Sequence, residues 1–190
     1  SNAKHMFPTT QEVVQADAAH TSFGKYTLFS AYTSTANGNM ANVAYAILFG
    51  NEDTKNWMLF CSFMAREHPT INRPQVTILT DQDKGSINAI KNCIPQAHNF
   101  HCAFHRRQNI ITKCGGGSGK KPGTALWLYN KLSSCPNMAI FKQSQTGSWM
   151  SCTLLIDKQY PAARCAMGPG ICMYGKSASS GVESMNRANK

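Results

Sequence analysis

The sequence has few acidic residues, no closely spaced cysteine pair and no long apolar run. The 190 residues include nine Asp and Glu and nineteen Lys and Arg, which gives a net charge of +10. This charge indicates a polyanionic partner such as nucleic acid. An equal alternative is that the charge only aids solubility. The eight cysteines form no Cys-x-x-Cys pair, which disfavours a zinc ribbon and a disulfide framework and predicts reduced, intracellular thiols. No run approaches the roughly 20 apolar residues that span a bilayer, and no secretion signal opens the chain, so a soluble protein without a membrane partner is predicted.

The length suits one core domain with an insertion better than two ordinary domains. Residues 1–5 begin with Ser-Asn-Ala, which is typical of an expression-tag remnant, and they are left out of the fold prediction. We predict a core over residues 6–112, a helical or irregular insertion over 113–178, where periodicity is weak, and a last helix over 179–190 that completes the core.

Hydrophobic periodicity predicts three strands followed by alternating helices and strands. The predicted strands are residues 12–17, 25–34, 41–49, 75–80 and 98–104, and the predicted helices begin near residues 53, 84 and 106. The order β-β-β-α-β-α-β is that of an α/β RNase H-like fold, a mixed five-stranded sheet flanked by helices. In that fold the first and fourth strands are neighbours.

Three acidic residues stand out by their positions. Asp17 follows an apolar run of the first strand, Asp81 ends the fourth strand, and Glu183 lies in the terminal segment. A carboxylate at the end of a buried strand lies at the sheet edge, and two such strands side by side can hold hydrated cations between them. Asp83, only two residues after Asp81, is assigned to capping the next helix because a carboxylate there meets free backbone N–H groups.

Other polar groups suggest further sites. Cys102 and His105 could supply two of the four ligands of a zinc site, and His98 and His101 are nearby candidates for the others. The alternative is that Cys102 and His105 have a structural role beside the acidic residues or contact DNA. The glycine-rich segment 115–121 lacks the first glycine and the Ser or Thr of a nucleotide-binding loop, so nucleotide binding is rejected. Five basic residues are predicted to contact DNA phosphates, with a solvated surface as the alternative: Arg106, Arg107, Lys113, Lys120 and Lys121.

Four short segments carry a family resemblance. They are Asp17-Ala18-Ala19-His20-Thr21, Asn51-Glu52 with Trp57 and Phe60, ILTDQDKG at 78–85, and Ile94-Pro95-Gln96-Ala97-His98 leading to Cys102-Ala103-Phe104-His105. Together with Glu183-x-x-Asn186, their order resembles the catalytic domain of Mutator-like element (MULE) transposases, a branch of the DDE transposases. The chain departs from the family pattern at Ala19, where a hydroxyl residue is common, and at Ser179-Ser180, where asparagines are common.

The resemblance implies that Asp17, Asp81 and Glu183 are the DDE triad and bind two Mg²⁺ or Mn²⁺ ions. It implies metal-dependent cleavage of DNA and strand transfer, with the transposon end and target DNA as partners. It further implies action as a homo-oligomer and, in a eukaryote, a nuclear location. Two alternatives stay open: a domesticated, transposase-derived DNA-binding or transcription-factor domain without cleavage, and a plain RNase H-like nuclease.

Overall fold

The computed structural model describes residues 10–81 and 83–115. They belong to two compact units whose boundary in sequence lies between Cys102 and Ala103. Lys120, Lys121, Glu183 and the predicted last helix lie outside the described residues. Within the described ranges, every helix is too short or too polar to span a lipid bilayer.

The elements of the described chain follow the predicted order. They are β1 (Thr10–His20), β2 (Tyr26–Thr35), β3 (Met40–Phe49), α1 (Thr54–Glu67), a 3₁₀ turn (Pro69–Ile71), β4 (Thr77–Thr80), α2 (Lys84–Cys93), β5 (His98–His101) and α3 (Ala103–Gly115). The fifth strand is shorter than predicted. The last β4–β5 pair joins Thr80 to His101, because β4 ends at Thr80. Phe104, which was predicted in the strand, lies in α3.

The sheet is mixed, with the strand order β3-β2-β1-β4-β5. The first three strands form an antiparallel meander, and β1–β4 and β4–β5 are parallel pairs. A parallel pair requires a crossover connection, and α1 and α2 supply the two crossovers, which lead to β4 and β5. The predicted RNase H-like α/β arrangement is confirmed, including the adjacency of the first and fourth strands.

Three aromatic rings join α1 to the centre of the sheet. Phe29 of β2 packs edge-on against Trp57 at a centroid distance of 5.0 Å and lies 5.7 Å from Phe60. All three rings are buried, and full burial of such a side chain contributes about 1.5–3 kcal/mol. Because Phe29 pairs across the sheet with Ala18 of β1, this contact fixes the first turns of α1 over the end of β1.

The first strand continues past its parallel neighbour. Its pairing with β4 reaches Gln15 opposite Leu79, whereas its antiparallel pairing with β2 continues to His20. Asp17 therefore lies inside β1. The predicted strand over residues 12–17 placed it at the strand end, and that boundary is wrong. Asp17 pairs with Ser30 of β2 and lies two residues beyond Gln15, where the pairing of β1 with β4 ends.

Candidate active site

Asp17 of β1 and Asp81, the residue directly after β4, lie at the same edge of the sheet. The last recorded β1–β4 pair joins Gln15 to Leu79, and continuing this register by two residues places Asp17 beside Asp81. Adjacent strands are about 4.8 Å apart. The two carboxyl groups therefore leave the sheet at the carboxyl ends of its parallel strands, which is where ligand sites of such sheets are usually found.

A turn after β4 orients the Asp81 side chain. Asp81 Oδ1 accepts a hydrogen bond from the backbone N–H of Asp83 at 3.0 Å and lies 3.3 Å from Ser86 Oγ. Such an Asx turn is a local structure that aspartate favours. Asp83 in turn caps α2, since its Oδ1 accepts from the Gly85 N–H at 2.6 Å. The prediction that Asp83 is a helix cap is confirmed.

The first turns of α1 and α2 are in close contact at Gly85. A Cβ atom built on Gly85 would lie 2.7 Å from Asp83 Oδ1, 3.0 Å from Thr54 N and 3.1 Å from Asp53 C. Asp53 is the N-cap of α1, where its side chain accepts from Asn56 N. Two helix N-termini, each equivalent to roughly half a positive charge, therefore lie together beside the strand end that carries Asp81.

Glu52 is a fourth carboxyl group in this region, which the sequence marks only through the family resemblance. Its Oε1 accepts a hydrogen bond from Trp57 Nε1 at 3.0 Å. The pKa of Glu52 is raised to about 7. Burial is the largest cause, followed by the negative charge of Asp81, with smaller contributions from Asp17 and Asp83. The Trp57 hydrogen bond acts in the opposite direction and lowers this pKa. The four acidic residues therefore share one electrostatic environment.

Hydrogen bonds hold the segment that carries Glu52. Thr27 Oγ1 donates to the Gly50 carbonyl at 2.7 Å, and Gly50 N donates to Lys25 O at 2.6 Å. Asn56 Nδ2 donates to the Asn51 carbonyl at 2.9 Å. Gly50 has φ of 103°, a conformation that glycine adopts without steric cost. The position of Glu52 is therefore set from both sides, by the β1–β2 hairpin and by α1.

The predicted metal ligands are only partly represented in the described chain. Across residues 10–81 and 83–115, no group of three or more His, Cys, Asp or Glu residues is arranged to hold a metal ion. The triad prediction also needs Glu183, which lies outside these residues. Cys102 is buried at the end of β5, and His105 lies in α3, in the other compact unit. The zinc assignment to Cys102 and His105 stays a prediction.

Three of the five predicted DNA-contacting residues lie in α3. Arg107 is exposed on α3, and the backbones of Arg106 and Lys113 belong to the same helix. An exposed arginine suits phosphate binding, and contact of these residues with DNA stays a prediction.

The strand order and the parallel β1–β4 pair are those of an RNase H-like domain. The family model of the MULE transposase domain matches residues 13–109, which is just over half of the chain. The chain therefore belongs to the MULE transposase domain family, and its function is transposase-related, with DNA as the general partner. No curated protein matches it significantly.

Proposed function

We propose that this domain is the catalytic core of a DDE transposase. In the first step water attacks a phosphorus atom of DNA, the bond to the 3′-oxygen breaks, and that oxygen leaves as a 3′-hydroxyl after taking up a proton. In the second step this hydroxyl gives up its proton and attacks a phosphodiester of target DNA. Its oxygen bonds to phosphorus while the P–O3′ bond of the target strand breaks, and the 3′-oxygen that leaves takes up a proton to become a hydroxyl. The observation that carries the proposal is the β1–β4 register, which brings Asp17 and Asp81 to one sheet edge in a chain of this family.

The donor atoms suit divalent cations. Carboxylate oxygens are the ligands that Mg²⁺ and Mn²⁺ prefer. Burial first, and then the negative charges of Asp81, Asp17 and Asp83, raise the pKa of Glu52, so a cation would also relieve repulsion among these carboxylates. We propose that Asp17, Asp81 and Glu183 would together hold two such ions. When bound, such ions activate the attacking oxygen and stabilise the leaving oxygen.

The chain itself would supply orientation and attraction. The Asp83 N–H and Ser86 hold one oxygen of Asp81, so its carboxylate has a fixed direction before any ligand arrives. A net charge of +10 would draw DNA toward the domain through counterion release. We propose that Arg106, Arg107 and Lys113, together with Lys120 and Lys121, bind DNA phosphates.

The test compares two aspartates that are two residues apart. Asp81→Asn removes a proposed ligand, whereas Asp83→Asn keeps an N-cap, because Asn and Asp cap equally well. With Mn²⁺ and a labelled DNA duplex, we expect Asp17→Asn and Asp81→Asn to lose at least about 100-fold in cleavage and Asp83→Asn to stay near wild type. Loss of cleavage in Asp83→Asn alone would contradict the assignment.

The same assay separates the three functional hypotheses. A transposase core should join a labelled oligonucleotide with a free 3′-hydroxyl to a supercoiled plasmid. A nuclease would cut the duplex and give no joined product. A domesticated DNA-binding domain would shift the duplex in a gel without cutting it, and this outcome with folded wild-type protein and Mn²⁺ would refute the proposed reaction.

A further inference from the structure

We propose that Glu52 is a proton-holding residue of the candidate active site, which carries a proton while the site lacks a cation and releases it to solvent when a divalent cation binds at Asp17 and Asp81. The inference rests on the proposed metal-dependent function and extends it, because it adds a residue outside the triad and couples cation binding to pH.

The first support is the rigid placement of the Glu52 side chain. Its Oε1 is held at 3.0 Å by the indole N–H of Trp57. Trp57 is 1% exposed and packs edge-on against Phe29 at 5.0 Å, so the ring cannot swing away without opening the core. The half-buried carboxyl of Glu52 therefore has a hydrogen-bond donor in a fixed position.

The second support is the contact between the two helix starts. Glu52 immediately precedes Asp53, and the backbone of Asp53 and Thr54 lies against Gly85 in the first turn of α2. The same turn contains Ser86, which lies 3.3 Å from Asp81 Oδ1. The segment that carries Glu52 is therefore in backbone contact with the turn of α2 whose Ser86 side chain contacts Asp81.

The charges around Glu52 explain why it would hold a proton. Burial and the charges of Asp81, Asp17 and Asp83 all oppose its ionisation, and they outweigh the Trp57 hydrogen bond, so its pKa is about 7. On the other side of this segment, His20 Nδ1 at the end of β1 lies 3.4 Å from Thr27 Oγ1, the donor to the Gly50 carbonyl.

The linkage is a balanced exchange. The protonated carboxyl of Glu52 loses H⁺ to solvent, and the carboxylate that remains is stabilised by the bound cation, because a nearby positive charge favours the ionised form. Cation binding and proton release then depend on each other. With a pKa of about 7, about half of the Glu52 carboxyls are protonated near pH 7 and only a few per cent near pH 8.5.

The experiment is a calorimetric titration of the full chain with MnCl₂ in two buffers of different ionisation enthalpy, which counts the protons released. We expect wild type to release about half a proton more than Glu52→Gln near pH 7, with the difference vanishing near pH 8.5. We also expect Mn²⁺ affinity to rise about tenfold from pH 6 to pH 8 in wild type and to stay flat in Glu52→Gln. The amide keeps an oxygen that can accept from Trp57.

Glu67→Gln is the matched control, since Glu67 lies at the other end of the 14-residue helix α1, about 21 Å away, and should behave as wild type. Trp57→Phe is the second variant, because loss of its hydrogen bond should move the midpoint of the affinity–pH curve to higher pH.

Three results would overturn the inference. Equal proton release in wild type and Glu52→Gln would remove Glu52 from the linkage while leaving cation binding intact. Loss of Mn²⁺ binding in folded Glu52→Gln would make Glu52 a ligand instead. Absence of Mn²⁺ binding in wild type would refute the proposed function and this inference together.

Discussion

Replacement of Gly85 by alanine tests the packing that assembles the candidate site. Gly85 is the second residue of α2 and is buried, and its backbone is not in the left-handed region that only glycine favours. Alanine is therefore compatible with the backbone itself. Because Ala is favoured over Gly within a helix by about 0.5–1 kcal/mol, helix propensity alone predicts that Gly85→Ala stabilises the protein.

Steric contacts predict the opposite sign. The new methyl carbon would lie 3.0 Å from Thr54 N and 3.1 Å from Asp53 C, which are backbone atoms that cannot rotate away, and 2.7 Å from Asp83 Oδ1. Overpacking of this kind costs about 1–3 kcal/mol. If the Asp83 side chain rotates away, the α2 cap is lost at about 1 kcal/mol. After subtraction of the propensity gain, we expect a net destabilisation of about 1–2 kcal/mol.

Urea unfolding measures this difference. With a slope of about 2 kcal/mol per molar urea, the midpoint of Gly85→Ala should fall by about 0.5–1 M. Asn88→Ala is the control, because Asn88 is exposed on the same helix and its replacement changes helix propensity without a buried contact. A midpoint for Gly85→Ala that equals or exceeds that of wild type would refute the reasoning that α1 and α2 are in contact at this glycine.

Three further predictions concern single side chains. Because the pKa of Glu52 is about 7 in the folded state against an ordinary 4.5, the folded protein holds a proton that the unfolded chain has lost within this window. Stability should therefore fall as pH rises from about 4.5 to 7, and urea unfolding of Glu52→Gln should lack that contribution. Asp83→Ala removes the α2 cap and should lower the melting temperature by about 2–4 °C, so an unchanged calorimetric transition would contradict the cap. Burial, with a smaller effect from Cys93, raises the pKa of the Cys61 thiol to about 12, so iodoacetamide near pH 8 should label Cys61 only after denaturation, as peptide mass mapping would show.

Local patterns in the sequence predict most of the secondary structure of the first compact unit. The turns at Gly24 and Gly38 both have positive φ, as expected where short apolar runs reverse direction. Asp83 could be assigned as a cap because a carboxylate before a helical pattern satisfies free N–H groups. The pairing of β1 with β4 was predicted from the order of the elements and depends on no local signal in either strand.

The proposed role of Glu52 could not be predicted from local sequence patterns, because three contacts with other parts of the fold define the environment of its side chain. It lies in the turn before α1, and a glutamate before an N-cap is ordinarily a solvated residue. Its environment depends on the Trp57 indole, on the β1–β4 register and on the close approach at Gly85. A glycine in the first turn of a helix indicates only one of the three, the close backbone contact, and does not point to Glu52.

Trp57 belongs to two parts of the molecule at once, because its ring fills the interior and its N–H holds Glu52. Interior positions usually tolerate exchange of one apolar side chain for another of similar volume, but here such an exchange would also alter the acidity of a neighbouring carboxyl. Efforts to stabilise this domain by redesigning its interior should therefore leave position 57 unchanged, since a variant with a higher melting temperature could still have an altered pH dependence at Glu52.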